Sequence, residues 1–338
     1  MGSQQLQFQV DPGWEQLPTH LSHRDVAGVA VDSTDRVYVF NRSEHPVIVY
    51  ERDGTFKDTW GEGVFRTPHG ITIGPDDTVY CVDSGDHTVR SFSTDGSLLK
   101  VLGTPGHASD SGIENSDYRT IKRGAQPFHG PTNLALAPSG DLFVSDGYGN
   151  SRIHRFSADG TLKLSWGELG SGPGQFHVPH GIAVDATGRV LVADRENDRV
   201  QLFSEEGDYL EEWIDLARPC DFTFDRAGNV YIAELGPAGP FSFTPPFPTN
   251  YPPSRVSVLD SGGRVIARWG STDHPCAPGS FWAAHDVCLD SHGDVYVGEV
   301  NYTGSLDEFD VPIRAHPSID SLPRGCHTLQ KFVRVTRA

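Results

Sequence analysis

Short apolar runs recur along the whole chain, each closed by a polar or glycine-containing turn. The clearest unit reads as an apolar run, a turn built on Asp and Gly, a VYV-like run, an acidic turn, an R-[IV]-x-x-F run, a DG turn, and an apolar run ending in WG. It is plainest over residues 67–103, 130–167 and 178–213, and more divergent over 26–61, 218–270 and 283–337. Asp53-Gly54, Asp95-Gly96, Asp159-Gly160 and Glu206-Gly207 separate the third run of a unit from the fourth, as hairpin chemistry requires. Four short strands in a unit of roughly 40 residues are the signature of a propeller blade. Six copies predict one all-β domain over residues 1–338, a six-bladed β-propeller. The last copy offers only three strands, in HDVCLD, DVYVGEV and TLQKFVRV. The N-terminal QLQFQVDPGW has no other partner, so it is expected to supply the missing outer strand and remove a free sheet edge.

The repeat aligns residues that lie far apart in the chain. His69 in TPHGITI, His180 in VPHGIAV and His285 in AAHDVCL occupy one repeat position in alternate copies, while Ala27, Thr132 and Cys220 occupy it in the others. Equivalent positions of a closed ring form a circle about its axis, so three imidazoles would converge. A single histidine at a strand start is usually structural. Three in alternation point to a metal, and three neutral imidazoles with an open fourth position suit catalytic zinc, with another transition metal as the alternative. The second strand of each copy ends in Asn41, Asp83, Asp146, Asp194, Glu234 or Glu299, and these read as turn caps rather than as chemistry. Arg42 and Arg195 stand one residue further on and are expected beside the axis, where a guanidinium can take a carboxylate bidentately; the plainer reading pairs each with a nearby acid. Tyr148 fills the corresponding turn of copy three. Neighbouring cations favour a phenolate, so Tyr148 is a candidate base, against a plainer packing role.

Three insertions interrupt the pattern, at 104–129, 236–253 and 301–325. Blade topology puts all three on the face where the histidines begin their strands. Phe241, Phe243, Phe247 and Tyr251 would give the second an apolar rim. The net charge of −18 argues against nucleic acid and anionic membrane surfaces as partners, and no apolar run reaches the length of a membrane span. A small-molecule or peptide-like substrate is the remaining expectation. The N-terminus has no apolar signal core, and the five cysteines include no CxxC, so a reduced, cytoplasmic protein is the plain expectation. Cys276 and Cys326 both fall in loops, which leaves one bridge open.

At these same residues the chain resembles a known family. The stretch SDGYGNSRIHRFSADGTLKLSWGELGSGPGQFHVPHGIAVDATGRVLVADRENDRVQLF is similar to peptidyl-α-hydroxyglycine α-amidating lyase, the lyase domain of the peptidylglycine amidating enzyme, a six-bladed propeller of NHL repeats. The similarity runs over essentially the whole chain and is strongest over 130–204. It implies zinc on His69, His180 and His285, Tyr148 as base, and Arg42 and Arg195 near the substrate. It also implies a structural calcium held by the carbonyls of Val29 and Ile71 and by Asp286, which directly follows the third histidine. There are departures. Gly149 stands where the family has a cysteine, Leu191 and Leu202 replace a cysteine pair, and Ala283 replaces a methionine in the substrate pocket. The activity implied is metal-dependent cleavage of a carbinolamide C–N bond in an α-hydroxyglycine-like substrate, giving an amide and glyoxylate or a related carbonyl. The alternatives are a related lyase, hydratase or lactonase acting on a small hydroxylated molecule, and a non-catalytic NHL binding propeller.

Overall fold

The computed structural model describes residues 6–238, 245–270, 274–301 and 326–335. Six four-stranded antiparallel sheets follow one another around a ring. The strands that begin them, nearest the axis, are Val26–Val31, Pro68–Ile73, Asn133–Leu136, Pro179–Val184, Pro219–Phe224 and Ala284–Leu289. Burial falls outward within a blade. In blade four, Val190–Asp194 and Arg199–Phe203 are buried throughout, whereas Tyr209–Trp213 is exposed except at Trp213. The apolar runs therefore mark inner strands with both faces covered, and the mixed runs mark the rim.

Hydrophobic clusters lie between blades. Val47, Val49 and Trp60 of blade one pack with Val79, Cys81 and Phe92 of blade two. The same arrangement is repeated at each junction, including the one between blade six and blade one, where Tyr296 and Leu329 meet Val37, Val39 and Tyr50. No blade buries its faces alone, so the ring must close.

It closes as the repeat count predicts. Phe8–Asp11 pairs antiparallel with Leu329–Arg334, in the register Phe8↔Arg334 to Asp11↔Lys331, and forms the outer strand of blade six. Trp14 then crosses the seam, its ring 5.3 Å from Tyr50 and 5.1 Å from Tyr296. Its indole N–H donates to the Arg52 carbonyl at 2.9 Å. The Arg52 side chain bridges back to Asp290 and Asp294 at 2.8 and 2.7 Å.

The bridge that the loop positions of Cys276 and Cys326 left open is present. Cys276 and Cys326 are joined in a disulfide that spans 50 residues, while Cys81, Cys220 and Cys288 are buried thiols. Spacing could not decide this, because the two loops meet only once blade six has folded. Alkylation of the denatured, unreduced protein followed by intact mass measurement should label three cysteines; labelling of all five would refute the bridge. Leu191 and Leu202 face each other in register on adjacent strands and are fully buried, so an apolar pair fills the space where the family has cysteines.

Candidate functional site

The first residues of the inner strands line the axis, and carboxylates hold them there. Asp83 accepts hydrogen bonds from the backbone N–H groups of Arg66 and Thr67 at 2.7 and 2.8 Å, just ahead of His69. Asp194 accepts from the His177 N–H at 2.8 Å ahead of His180, and Glu299 from the Trp282 N–H at 2.8 Å ahead of His285. The capping role read from sequence is thus what aims the histidines.

His69, His180 and His285 form a near-regular triangle, with ring centroids 4.7, 4.7 and 5.0 Å apart. Their candidate ligand atoms all lie within 4.8 Å of one another. Each Nδ1 points at a backbone carbonyl of the next blade: Thr132 at 2.6 Å, Cys220 at 2.9 Å and Ala27 at 2.9 Å. A carbonyl only accepts, so each Nδ1 carries the proton and each Nε2 presents its lone pair to the axis. The alternation therefore has a physical reason: the blade between two histidines supplies the acceptor that fixes the tautomer. Burial holds all three imidazoles neutral. It depresses His69, with His285 and Arg42 adding to the effect, and it depresses His180, with Arg195 adding most. Burial together with Arg42 takes His285 down to about 3. Three neutral, preoriented nitrogens fit a divalent transition metal. Among the described residues this is the one group of His, Cys, Asp or Glu side chains with that convergence.

Tyr148 reaches the same point. Its hydroxyl lies 2.8 Å from His69 Nε2 and 3.3 Å from His180 Nε2. Arg195 lies against it, with Nη1 3.5 Å from the hydroxyl and the guanidinium 5.6 Å from the ring centre. Arg42 stands where its charge acts on His69 and His285, donating through Nε to the Pro68 carbonyl at 3.1 Å and approaching Asp25 at 3.5 Å. Both arginines therefore sit at the axis, and both are ion-paired, Arg195 with Glu196 at 2.8 Å.

One step along each inner strand lies a second layer made of Gly28, Gly70, Asn133, Gly181, Asp221 and Asp286. A Cβ at Gly28 would stand 2.8 Å from the His69 carbonyl oxygen and 2.8 Å from Ile71 Cγ2, so only glycine fits there. Asp286 accepts from the Val29 N–H at 3.1 Å and is hydrogen-bonded to Asp221, which in turn accepts from the Asn133 amide. Burial raises both carboxyls above the ordinary range, and the charge of Asp221 raises Asp286 further. Two adjacent buried carboxylates can both ionise only beside a cation, and an oxygen donor set suits calcium.

Sequence reasoning passed over four residues. Asp221 and Asn133 stood at the repeat position directly after that of the histidines, where three other copies carry glycine and the last carries Asp286. Glu196 lay inside the DREN motif, and Arg218 sat between Asp215 and Asp221 with no repeat counterpart to flag it. Two insertions reach the histidine end as expected. Tyr118 and Ile121 of 104–129 pack on Val178 and Tyr148. Phe247 and Tyr251 of 236–253 stack on each other at 4.5 Å, and the Phe247 ring faces the Arg218 guanidinium. Phe241 and Phe243, and all of 301–325 beyond Asn301, lie outside the described residues. Gly149 also gains a reason, because a Cβ there would stand 2.3 Å from His129 Cδ2.

Fold and site together define an NHL-type six-bladed propeller with a three-histidine axial centre. The NHL repeat family matches residues 176–203. NHL repeat-containing protein 3 of Homo sapiens is 33% identical over 62% of this chain, and the match covers 61% of that protein. The peptidyl-glycine alpha-amidating monooxygenase of Mus musculus is 29% identical over 87% of this chain and 31% of its own length. Peptidyl-alpha-hydroxyglycine alpha-amidating lyase 1 of Drosophila melanogaster is 29% identical over 73% of this chain and 45% of its own length. The chain thus spans from under a third to about three fifths of these relatives, and the resemblance to the amidating lyases stands on them. Solved propellers share the fold at low identity. A catalytically inactive virginiamycin B lyase of Staphylococcus aureus gives a TM-score of 0.58 at 13% identity, covering 98% of this chain and 99% of its own. A gluconolactonase of Xanthomonas campestris gives 0.57 at 13% identity, covering 93% and 87%.

Proposed function

We propose that this protein is a metal-dependent lyase of the amidating-lyase kind, cleaving the C–N bond of an N-acyl-α-hydroxyglycine to an amide and glyoxylate. The observation that carries the reading is the Tyr148 hydroxyl set against two of three inward-facing imidazole nitrogens. That triad would hold a transition metal, zinc by preference, which supplies Lewis acidity toward a hydroxyl oxygen. Tyr148 takes the hydroxyl proton. As the C–O bond becomes a carbonyl, the C–N bond breaks and its electron pair stays on nitrogen. The same proton, returned by Tyr148, completes the amide, so one molecule becomes two with no oxidant and no added water. Arg195 and Arg42 orient the substrate carboxylate. The insertions at 104–129 and 236–253 wall the same end and suit an apolar acyl group. Beneath the triad, Asp286 with Asp221, Asn133 and the strand bearing Val29 would hold a structural calcium, with Ile71 on the neighbouring inner strand.

The test is elemental analysis of the purified protein, alone and as His69→Ala, His180→Ala and His285→Ala. One transition metal per chain is expected, and each substitution should strip it while leaving a folded propeller. Full occupancy in all three variants would sink the site. If the metal-loaded protein releases no glyoxylate from an N-acyl-α-hydroxyglycine, the reading retreats to a related lyase, hydratase or lactonase. A metal-free native protein would favour a binding propeller.

A further inference from the structure

The turn Arg195–Asn197 follows the second strand of blade four and carries more than Arg195. The Glu196 side chain is only 5% exposed, and its Oε1 receives Arg195 Nε at 2.8 Å together with Arg218 Nη2 at 2.8 Å and Nε at 3.2 Å. Burial opposes the charge on Glu196, but Arg218 and then Arg195 outweigh it and hold the carboxyl below its ordinary range. Burial likewise opposes the charge on Arg195, and Glu196 overcomes it, raising the guanidinium further. One carboxylate oxygen thus locks two buried guanidiniums.

Arg218 extends the lock outward. It is 1% exposed and donates through Nη1 to the carbonyls of Gly236 and Ala238 at 3.2 and 2.6 Å, at the start of the second insertion. Its guanidinium lies 5.5 Å from the centre of the Phe247 ring, near that insertion's far end. The Arg218 N–H donates to Asp198 Oδ1 at 2.9 Å, and the same oxygen accepts from the Tyr251 hydroxyl at 2.5 Å. The start of the insertion therefore docks on Arg218, and its far end on Arg218 and on Asp198, which closes the turn that presents Arg195 to Tyr148.

We infer that Glu196 is a positioning residue: its carboxylate holds the Arg195 guanidinium against Tyr148, and Arg218 ties that aim to the docked wall of the pocket. The role rests on the lyase reading for its chemistry, although not for its geometry. A neutral amide at 196 keeps the shape but gives up the charge that restrains both arginines. Part of the attraction for the substrate carboxylate survives, because Arg42 is untouched; what is lost in full is Arg195 beside the reacting proton. The consequence is a split between kcat and KM.

The test uses the full-length, metal-loaded protein. Glu196→Gln should lower kcat by roughly tenfold or more, with KM raised by a clearly smaller factor and with metal content and melting temperature close to those of the parent. An unchanged kcat, a rise in KM as large as the fall in kcat, or loss of metal would overturn the role. Arg218→Lys keeps the charge without the fork and should show a smaller split of the same sign; it serves if Glu196→Gln does not fold. Should the parent release no glyoxylate, the lyase reading fails by itself. The crystal structure of Glu196→Gln, or of Arg218→Lys in its place, then decides the positioning. Arg195 should move out of hydrogen-bond reach of Tyr148, and Arg195 found in place refutes the inference.

Discussion

Tyr148→Phe should reduce turnover by roughly two orders of magnitude or more, the range expected for loss of a positioned general base, while the metal content stays at the parent level. The substitution removes one oxygen and keeps the ring, so Tyr148 still packs beside Tyr118, Ile121 and Val178. What disappears is the hydroxyl that lies 2.8 and 3.3 Å from two of the inward-facing nitrogens. The three histidines keep their carbonyl partners on the next blades, since none of those contacts passes through Tyr148. The measurement is steady-state glyoxylate release together with elemental analysis of the same preparation. Full activity in Tyr148→Phe would show that another group handles the proton. Loss of metal along with activity would make the tyrosine a prop for the site rather than its base.

Deleting residues 1–13 should produce the largest loss of stability. The deletion removes the outer strand of blade six, with its pairing to Leu329–Arg334. It also removes Phe8, whose ring lies 4.9 Å from Trp269 and 6.1 Å from Tyr231 on blade five. A truncated aromatic contact, with that strand's ladder lost as well, is expected to cost roughly 3–5 kcal/mol. Leu329–Arg334 then becomes an exposed edge, inviting pairing between molecules. Thermal melting should move down by several degrees, and light scattering should show self-association. Unchanged melting and an unchanged hydrodynamic size would mean that the segment is not holding the ring shut.

Much of this was readable in the chain because a propeller is written as a repeat. Strand number, blade number and the closing role of the N-terminus follow from counting, since each blade must bury its faces on neighbours and the last copy lacks a strand. Alternating histidines at one repeat position become neighbours in space for the same reason: rotation about an axis turns sequence period into proximity. Arg42, Arg195 and Tyr148 were legible through that register too, one residue beyond equivalent strand ends for the arginines and two for the tyrosine.

Other features depend on side chains meeting from segments that no repeat relates. The bridge between Cys276 and Cys326 needed two loops to be brought together at the seam. Glu196 and Arg218 are 22 residues apart and share an ion pair only because blade five packs against the turn of blade four. Asp221 and Asn133 are 88 residues apart and touch only at the axis. Sequence by itself determined the ring, its closure and the circle of histidines, because those are consequences of period and hydrophobic burial. Which buried charges pair, which tautomer each imidazole holds and where the insertions dock were decided by the tertiary structure alone, because they depend on distances of a few ångströms between elements that the chain order does not relate.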